Sequence, residues 1–93
     1  MPRPFGKIMY YVYLLRSNNH DFIYVGSTPD LNRRVLEHNR GNVQSTKFYR
    51  PLKLVYYEAY IDKIDALDRE NKLKHHGSVI GHLKKRLKKS LSN

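Results

Sequence analysis

The 93 residues carry 18 basic and 8 acidic side chains, a formal charge of +10, and describe one small domain suited to a polyanionic partner. No cysteine is present, which excludes a disulfide framework and thiolate metal sites and suits a reducing compartment. No apolar run approaches the roughly 20 residues that span a bilayer, and MPRPFGKIMYY lacks a signal-peptide core. The expectation is a cytoplasmic protein with nucleic acid as its partner, an anionic membrane surface being the competing source of such a charge.

Residues 1–7, with Pro2, Pro4 and Gly6, read as a loose lead-in. Residues 10–16 are rich in tyrosine, valine and leucine with almost no polar alternation, the pattern of a central strand buried on both faces. Ser17-Asn18-Asn19-His20-Asp21 is hairpin-loop chemistry. Residues 22–26 return as a second strand, with Phe22, Tyr24 and Gly26 on one face and Ile23 and Val25 on the other.

Thr28 as cap and Pro29 in the first turn predict a helix over 29–39, with Leu31 and Val35 as its apolar line and Gly41 as its stop. A loop over 42–50 carries Thr46, Lys47, Tyr49 and Arg50, and Pro51 closes it. Residues 52–60 form a third strand, alternation placing Leu54, Tyr56, Glu58 and Tyr60 on one face and Val55, Tyr57 and Ala59 on the other. Asp62, with Asp65 as capping-box partner, opens a second helix that Gly77 ends. Ser78 caps a third over about 78–90, where Ile80, Leu83 and Leu87 make a stripe among Lys84, Lys85, Arg86, Lys88 and Lys89.

The order β-β-α-β-α-α, without repeat or linker, predicts a single α+β domain over 1–93, with a core over about 10–76. A three-stranded antiparallel sheet is flanked by helices.

Several side chains sit where chemistry is as plausible as structure. Arg34 and His38 stand four residues apart on one helix face beside the Leu31–Val35 line. An arginine there finds an anion, reaches solvent, or pairs with Glu37. Glu70 falls within the apolar stripe Ala66, Leu67 and Leu73, either salt-bridged to a nearby lysine or arginine or bound to a divalent cation. Tyr13 and Tyr24 lie on the paired strands leading to Gly26, a glycine that permits a bend or a close approach of backbone to phosphate. The five histidines show no zinc-ligand spacing, so zinc is not expected. Phe48, Tyr56 and Tyr57 can stack bases, but their spacing favours packing of the sheet.

Tyr11-Val12-Tyr13, then Tyr24-Val25-Gly26 after a ten-residue gap, resembles the paired motif of the GIY-YIG nuclease superfamily. Tyr11 replaces the motif's first glycine, and valine stands for isoleucine in both triplets. The similarity runs on through STPDLNRRVLEHNRG, where Arg34 matches the family's catalytic arginine and His38 the tyrosine-or-histidine position one turn later. In ALDRENKLK, Glu70 matches the metal-binding glutamate. The match covers about 10–74, and the length is similar to that of the small stand-alone bacterial members. Two departures stand out: Ser27 where some members have lysine, and no clear last-helix asparagine, His82 being the nearest polar residue.

The resemblance implies a metal-dependent endonuclease that hydrolyses DNA, with RNA also open as substrate and DNA repair as one setting. It implies one Mg²⁺ or Mn²⁺ on Glu70, and Tyr13, Tyr24, Arg34 and His38 as the catalytic set. With no appended DNA-binding domain, Lys47, Arg50, Lys84, Lys85, Lys88 and Lys89 are expected to grip the substrate. The alternatives are a non-catalytic nucleic-acid-binding module and an accessory subunit that needs a protein partner.

Overall fold

The tyrosine-rich run becomes the middle of the sheet. In the computed structural model, which describes residues 8–92, β1 (Tyr10–Ser17) lies between β2 (Ile23–Thr28) and β3 (Leu52–Tyr60), antiparallel to both. The lead-in expected over 1–7 falls outside the described residues. Around the sheet stand α1 (Leu31–Asn39), α2 (Lys63–His75), α3 (Gly77–Arg86) and a short α4 (Lys88–Ser92), with a 3-10 turn at Lys47–Tyr49. The architecture is the α+β arrangement expected, in the order expected. No helix among the described residues is long and apolar enough to cross a membrane.

A central strand has two faces to bury, and residues 11–15 are all buried. Val12 and Leu14 pack with Val25 against Ala66, Leu73 and Leu83 of α2 and α3. Tyr11, Tyr13 and Leu15 pack with Leu52 against Leu31 of α1. Each large apolar side chain removed from water in this way stabilises the fold by about 1.5–3 kcal/mol.

Strict alternation fails in β3. Leu14 pairs with Tyr56 but Leu15 with Leu54, so Val55 is an extra residue, a β-bulge. The bulge turns Leu54 to the α1 side, whereas Tyr56 and Tyr60 face α2, correcting the single face on which alternation placed them.

Helix ends differ in detail from expectation. Asp30, not Thr28, caps α1 by accepting from Arg33 N–H, while the Thr28 hydroxyl accepts from Asp30 N–H in the turn before it. Asp62 caps α2 through Ile64 N–H. Gly77 opens α3 instead of ending α2, and Ser78 lies inside the helix with no side-chain cap. The last helix breaks at Leu87, whose N–H turns to the carbonyls of Leu83 and Lys84, and resumes as α4. Leu67 is 42% exposed, so the buried stripe of α2 is Ala66 and Leu73.

Two side chains tie the loops down. The Asn39 amide at the end of α1 accepts from Leu52 N–H at 2.7 Å and donates to Leu52 C=O at 2.9 Å, filling both backbone bonds there. The buried Ser17 hydroxyl donates to Tyr49 C=O at 2.7 Å and accepts from the Asn19 and His20 amides.

Glu58 anchors α2 to the sheet. Its carboxylate takes a bidentate grip from Arg69, with Nη2 at 2.9 Å and Nε at 3.0 Å, plus the hydroxyls of Tyr56 and Tyr60. Burial works to raise the Glu58 carboxyl, but Arg69 and the two hydroxyls outweigh it and hold it below its ordinary value. Burial and the adjacent carboxylate push both tyrosines up to about 12.

Glu58→Gln should therefore lower stability by about 1.5–3 kcal/mol, the range for hydrogen bonds to charged groups. A depressed carboxyl contributes stability that is present above its unfolded value and lost as pH falls through its folded value. Thermal melts between neutral and acidic pH should show a loss in wild type that is smaller in Glu58→Gln. Equal pH profiles would remove Glu58 as the anchor.

Candidate active site

The β1–β2 register sets Tyr13 directly opposite Gly26. A Cβ at position 26 would lie 2.5 Å from the Tyr13 hydroxyl oxygen, 2.6 Å from its Cζ and 2.8 Å from Cε2 of Tyr24. Glycine is required here because two tyrosine rings occupy the space of any side chain.

The Tyr13 hydroxyl lies 2.8 Å from His38 Nε2, and His38 Nδ1 lies 2.7 Å from the Thr46 hydroxyl. All three side chains are fully buried. Thr46 is 3.5 Å from Val43 C=O, which accepts its proton. Thr46 therefore accepts from Nδ1–H, and Nε2 accepts from Tyr13 O–H, a chain running one way with every donor used. Tyr24 completes the cluster, its ring 4.9 Å from the His38 ring and 6.2 Å from that of Tyr13.

Burial sets the charge states. It pushes the Tyr13 hydroxyl up to about 12, against the opposing pull of Arg34. It lowers His38 to about 4, helped by the positive charge of Arg34. At neutral pH Tyr13 is a phenol and His38 a neutral imidazole.

Arg34 sits half-buried at the rim, its Nη1 donating to Glu37 at 3.0 Å. That bond raises the guanidinium above its ordinary value and lowers the Glu37 carboxyl. Glu37 is shared with Arg33 at 3.3 Å, so of the partners open to Arg34 the structure shows Glu37.

On the opposite face of the sheet, Glu70 projects from α2. Its carboxylate accepts from the Ser27 hydroxyl at 2.7 Å and from Lys74 Nζ at 2.7 Å, with 17% of the glutamate side chain and 38% of the lysine exposed. The same ammonium stands 5.8 Å from the centre of the Tyr24 ring. Tyr24, Lys74, Ser45 and Lys84 share the lining of a groove of about 370 Å³.

The structure thus brings together Tyr13, Tyr24, Gly26, Arg34 and His38, with Glu70 close by through Lys74 and Tyr24. Tyr11 is buried on the same face but packs edge-on against Tyr57. Lys84 reaches the groove, whereas Lys85, Lys88, Lys89 and His82 are exposed along α3 and α4. Lys47 and Arg50 line a separate hollow with Gln44 and Phe48. Sequence reasoning did not place Thr46 or Lys74 in the site. Lys74 was findable, one helical turn from Glu70; nothing local marks Thr46, whose role depends on the fold bringing it to His38.

Among the described residues no cluster of three acidic, histidine or cysteine side chains exists. One carboxylate that already holds an ammonium and a hydroxyl donor is nonetheless a cation-binding group. It fits an ion such as Mg²⁺, which often takes one or two protein carboxylates and keeps its water.

Residues 9–79 match the family model of the GIY-YIG catalytic domain. A UPF0213 protein of Staphylococcus epidermidis is 41% identical over 66 residues, covering 70% of this chain and 79% of that protein. UPF0213 proteins of Staphylococcus aureus match with the same identity and coverage. The solution NMR structure of a UPF0213 protein from Bacillus halodurans superposes with a TM-score of 0.53 at 30% identity, over 86% of this chain and 85% of that one.

Because burial holds the folded imidazole near 4, below its ordinary 6.5, His38 contributes stability that is full above 6.5 and lost as pH falls toward 4. A shift of this size corresponds to roughly 3 kcal/mol. Melts across that window should show the loss in wild type, and His38→Gln, which cannot titrate, should lack it. An unchanged profile in the variant would show that His38 is not the buried neutral group.

Proposed function

This chain belongs to the GIY-YIG catalytic-domain family, and from that premise we propose that it is a metal-dependent endonuclease hydrolysing nucleic-acid phosphodiester bonds, with DNA as the substrate. The observation that carries the reading is the cluster itself. Tyr24 and Lys74 line one groove, Tyr24 packs on the buried Tyr13–His38 pair with Arg34 at its rim, and Lys74 pairs with Glu70, in a protein with a charge of +10.

Glu70 is the residue that would hold Mg²⁺ or Mn²⁺. Such an ion, when bound, polarises the phosphate and stabilises the departing oxygen. Arg34 neutralises charge on the scissile phosphate, its fork matched to two phosphate oxygens once it leaves Glu37. Tyr24 lines the groove and orients or deprotonates the attacking water. The water oxygen bonds to phosphorus, the bond to the leaving sugar oxygen breaks, and a proton returns to that oxygen. Tyr13, buried and held as a phenol, orders the cluster. His38 has both nitrogens engaged, so it exchanges protons only through Tyr13.

Lys74 takes two roles. It neutralises Glu70 while no ion is bound, and it presents its ammonium to a phosphate when the carboxylate is taken. Ser27, at the position where some family members have lysine, holds the other oxygen of the same carboxylate.

Arg34→Lys keeps the charge and loses the fork. Turnover on labelled DNA should fall by about 100-fold or more, the range for removing one preorganised donor, with binding changed far less. Equal losses of binding and turnover would reduce Arg34 to part of a charged surface.

Glu70→Gln breaks a single ion pair whose lysine reaches the surface, so the melt should move by no more than about 1 kcal/mol. Cleavage of labelled single-stranded, duplex, flap and branched DNA with Mg²⁺ or Mn²⁺ should disappear, while binding in EDTA persists. Cleavage at the wild-type rate would end the one-metal mechanism. Wild-type binding without cleavage of any of these would favour a non-catalytic module or an accessory subunit.

A further inference from the structure

Phe48 was expected to pack the sheet, yet it is 75% exposed. A lone exposed phenylalanine needs no explanation, but this one is mounted. Tyr49 holds it edge-on at 5.3 Å and 89°, and Tyr49 itself stacks flat on Phe22 at 3.7 Å and 4°. His20, from the β1–β2 loop, stands 5.3 Å from the Phe48 ring. The 3-10 turn beneath is bonded at Lys47 N–H to Val43 C=O, at Tyr49 N–H to Thr46 C=O, and at Tyr49 C=O to the Ser17 hydroxyl.

The surroundings are cationic. Phe48, Lys47, Arg50 and Gln44 line a hollow of about 420 Å³. Arg50 is anchored through Nε to Lys47 C=O at 2.9 Å. Its guanidinium fills the space beside Gly41, where a Cβ would meet Nη1 at 2.6 Å and Cζ at 2.9 Å. Gly41 also has φ of +82°, so this seat depends on glycine twice over. Nε is the one Arg50 donor used among the described residues, which leaves its terminal amino groups for another acceptor.

A flat ring, two cations and an amide at one hollow match a nucleotide: a π-face for the base, cations for the phosphate. We propose that this loop is a stacking site for an unpaired nucleotide, the base lying on Phe48 and its phosphate on Arg50 and Lys47. A paired base inside a duplex has both faces covered and offers none to Phe48, so the site selects single strands or frayed ends. The inference rests on the nucleic-acid reading above and names the substrate class: strands with unpaired nucleotides. Thr46, two residues before Phe48, is bonded to His38, so the platform shares a rigid element with the candidate site.

Binding is measured in EDTA, where cleavage plays no part. The probes are single-stranded dT and rU oligonucleotides of about 12 nucleotides, within the span of known single-strand sites, and a blunt duplex. Phe48→Ala should weaken single-strand affinity by about 5- to 100-fold, the loss expected for one base stack, with duplex affinity and melting temperature unchanged. The chain contains no tryptophan, so Phe48→Trp supplies the sole indole. Its emission should be quenched to saturation by single strands and not by duplex. Comparison of the dT and rU arms assigns DNA or RNA.

Equal weakening of single-strand and duplex binding, no weakening at all, or an F48W emission indifferent to oligonucleotide would overturn the stacking site and leave the nuclease reading standing. Wild-type protein that binds none of the probes would overturn both. A shift in F48W emission with an acidic peptide but not with oligonucleotide would transfer the surface to a protein partner and end the proposal.

Discussion

The hydrogen-bonded chain Tyr13–His38–Thr46 is the constraint that the other features satisfy. It joins the central strand to the first helix, 25 residues on, and to the loop before β3, by two bonds of 2.8 and 2.7 Å in a fully buried space. A buried imidazole left without one partner would cost about 1–3 kcal/mol, so the three elements stay in register or the interior is penalised. Gly26 exists to make room for this chain, since any side chain there would displace the Tyr13 hydroxyl. With Tyr13 committed inward, the groups left at the rim are Tyr24 and Arg34. The motif's two tyrosines are therefore unlike in environment, one closed in and one lining a groove.

Two carboxylates on the α2 side of the sheet show how packing separates anchoring from exchange. Glu58 has bidentate Arg69 and two tyrosine hydroxyls around it, and little further coordination capacity is left. Glu70 has one hydroxyl and one ammonium. Displacing Lys74 breaks one ammonium contact, whereas displacing Arg69 breaks a bidentate grip. Glu58 is thus the more saturated carboxylate and Glu70 the less saturated one. A charged residue on an apolar stripe is ambiguous from sequence, because its partners are set by the fold.

The sequence carried most of the scaffold because the scaffold rests on periodicity. The unbroken apolar run of residues 10–16 marked the central strand, and the alternation of Phe22 to Val25 assigned both faces correctly. What periodicity misses is a local change of count. One extra residue at Val55 reversed the side of Leu54, and nothing in the composition of the strand announces it. Caps were blurred for a related reason: Thr28 and Asp30 are both capping types, and only the backbone conformation at Asp30, extended with φ of −137°, selects between them. In the candidate site, residues carried by motif spacing were legible. Thr46 was not, since it joins His38 across a loop. Phe48 was read as packing because aromatic residues usually pack, and its exposure follows from Tyr49 taking the inward place against Phe22.

That exchange of places between neighbours explains why the loop is stiff without being buried. Its backbone is bonded internally, Ser17 and His38 hold it from below, and Asn39 clamps Leu52 just beyond it. A surface so fixed loses little conformational entropy when it meets a ligand, so a modest stacking interaction is not spent on ordering the loop. The lysines of α3 and α4 are the opposite case: exposed and long, they would supply attraction that falls with salt and carries little geometry. On the proposed reading, the basic helices would supply long-range attraction, and the rigid loop and the groove beside Tyr24 would supply position. Attraction can be distributed over many interchangeable lysines, but position cannot, which is why single glycines at 26 and 41 matter where single lysines at 85, 88 or 89 do not.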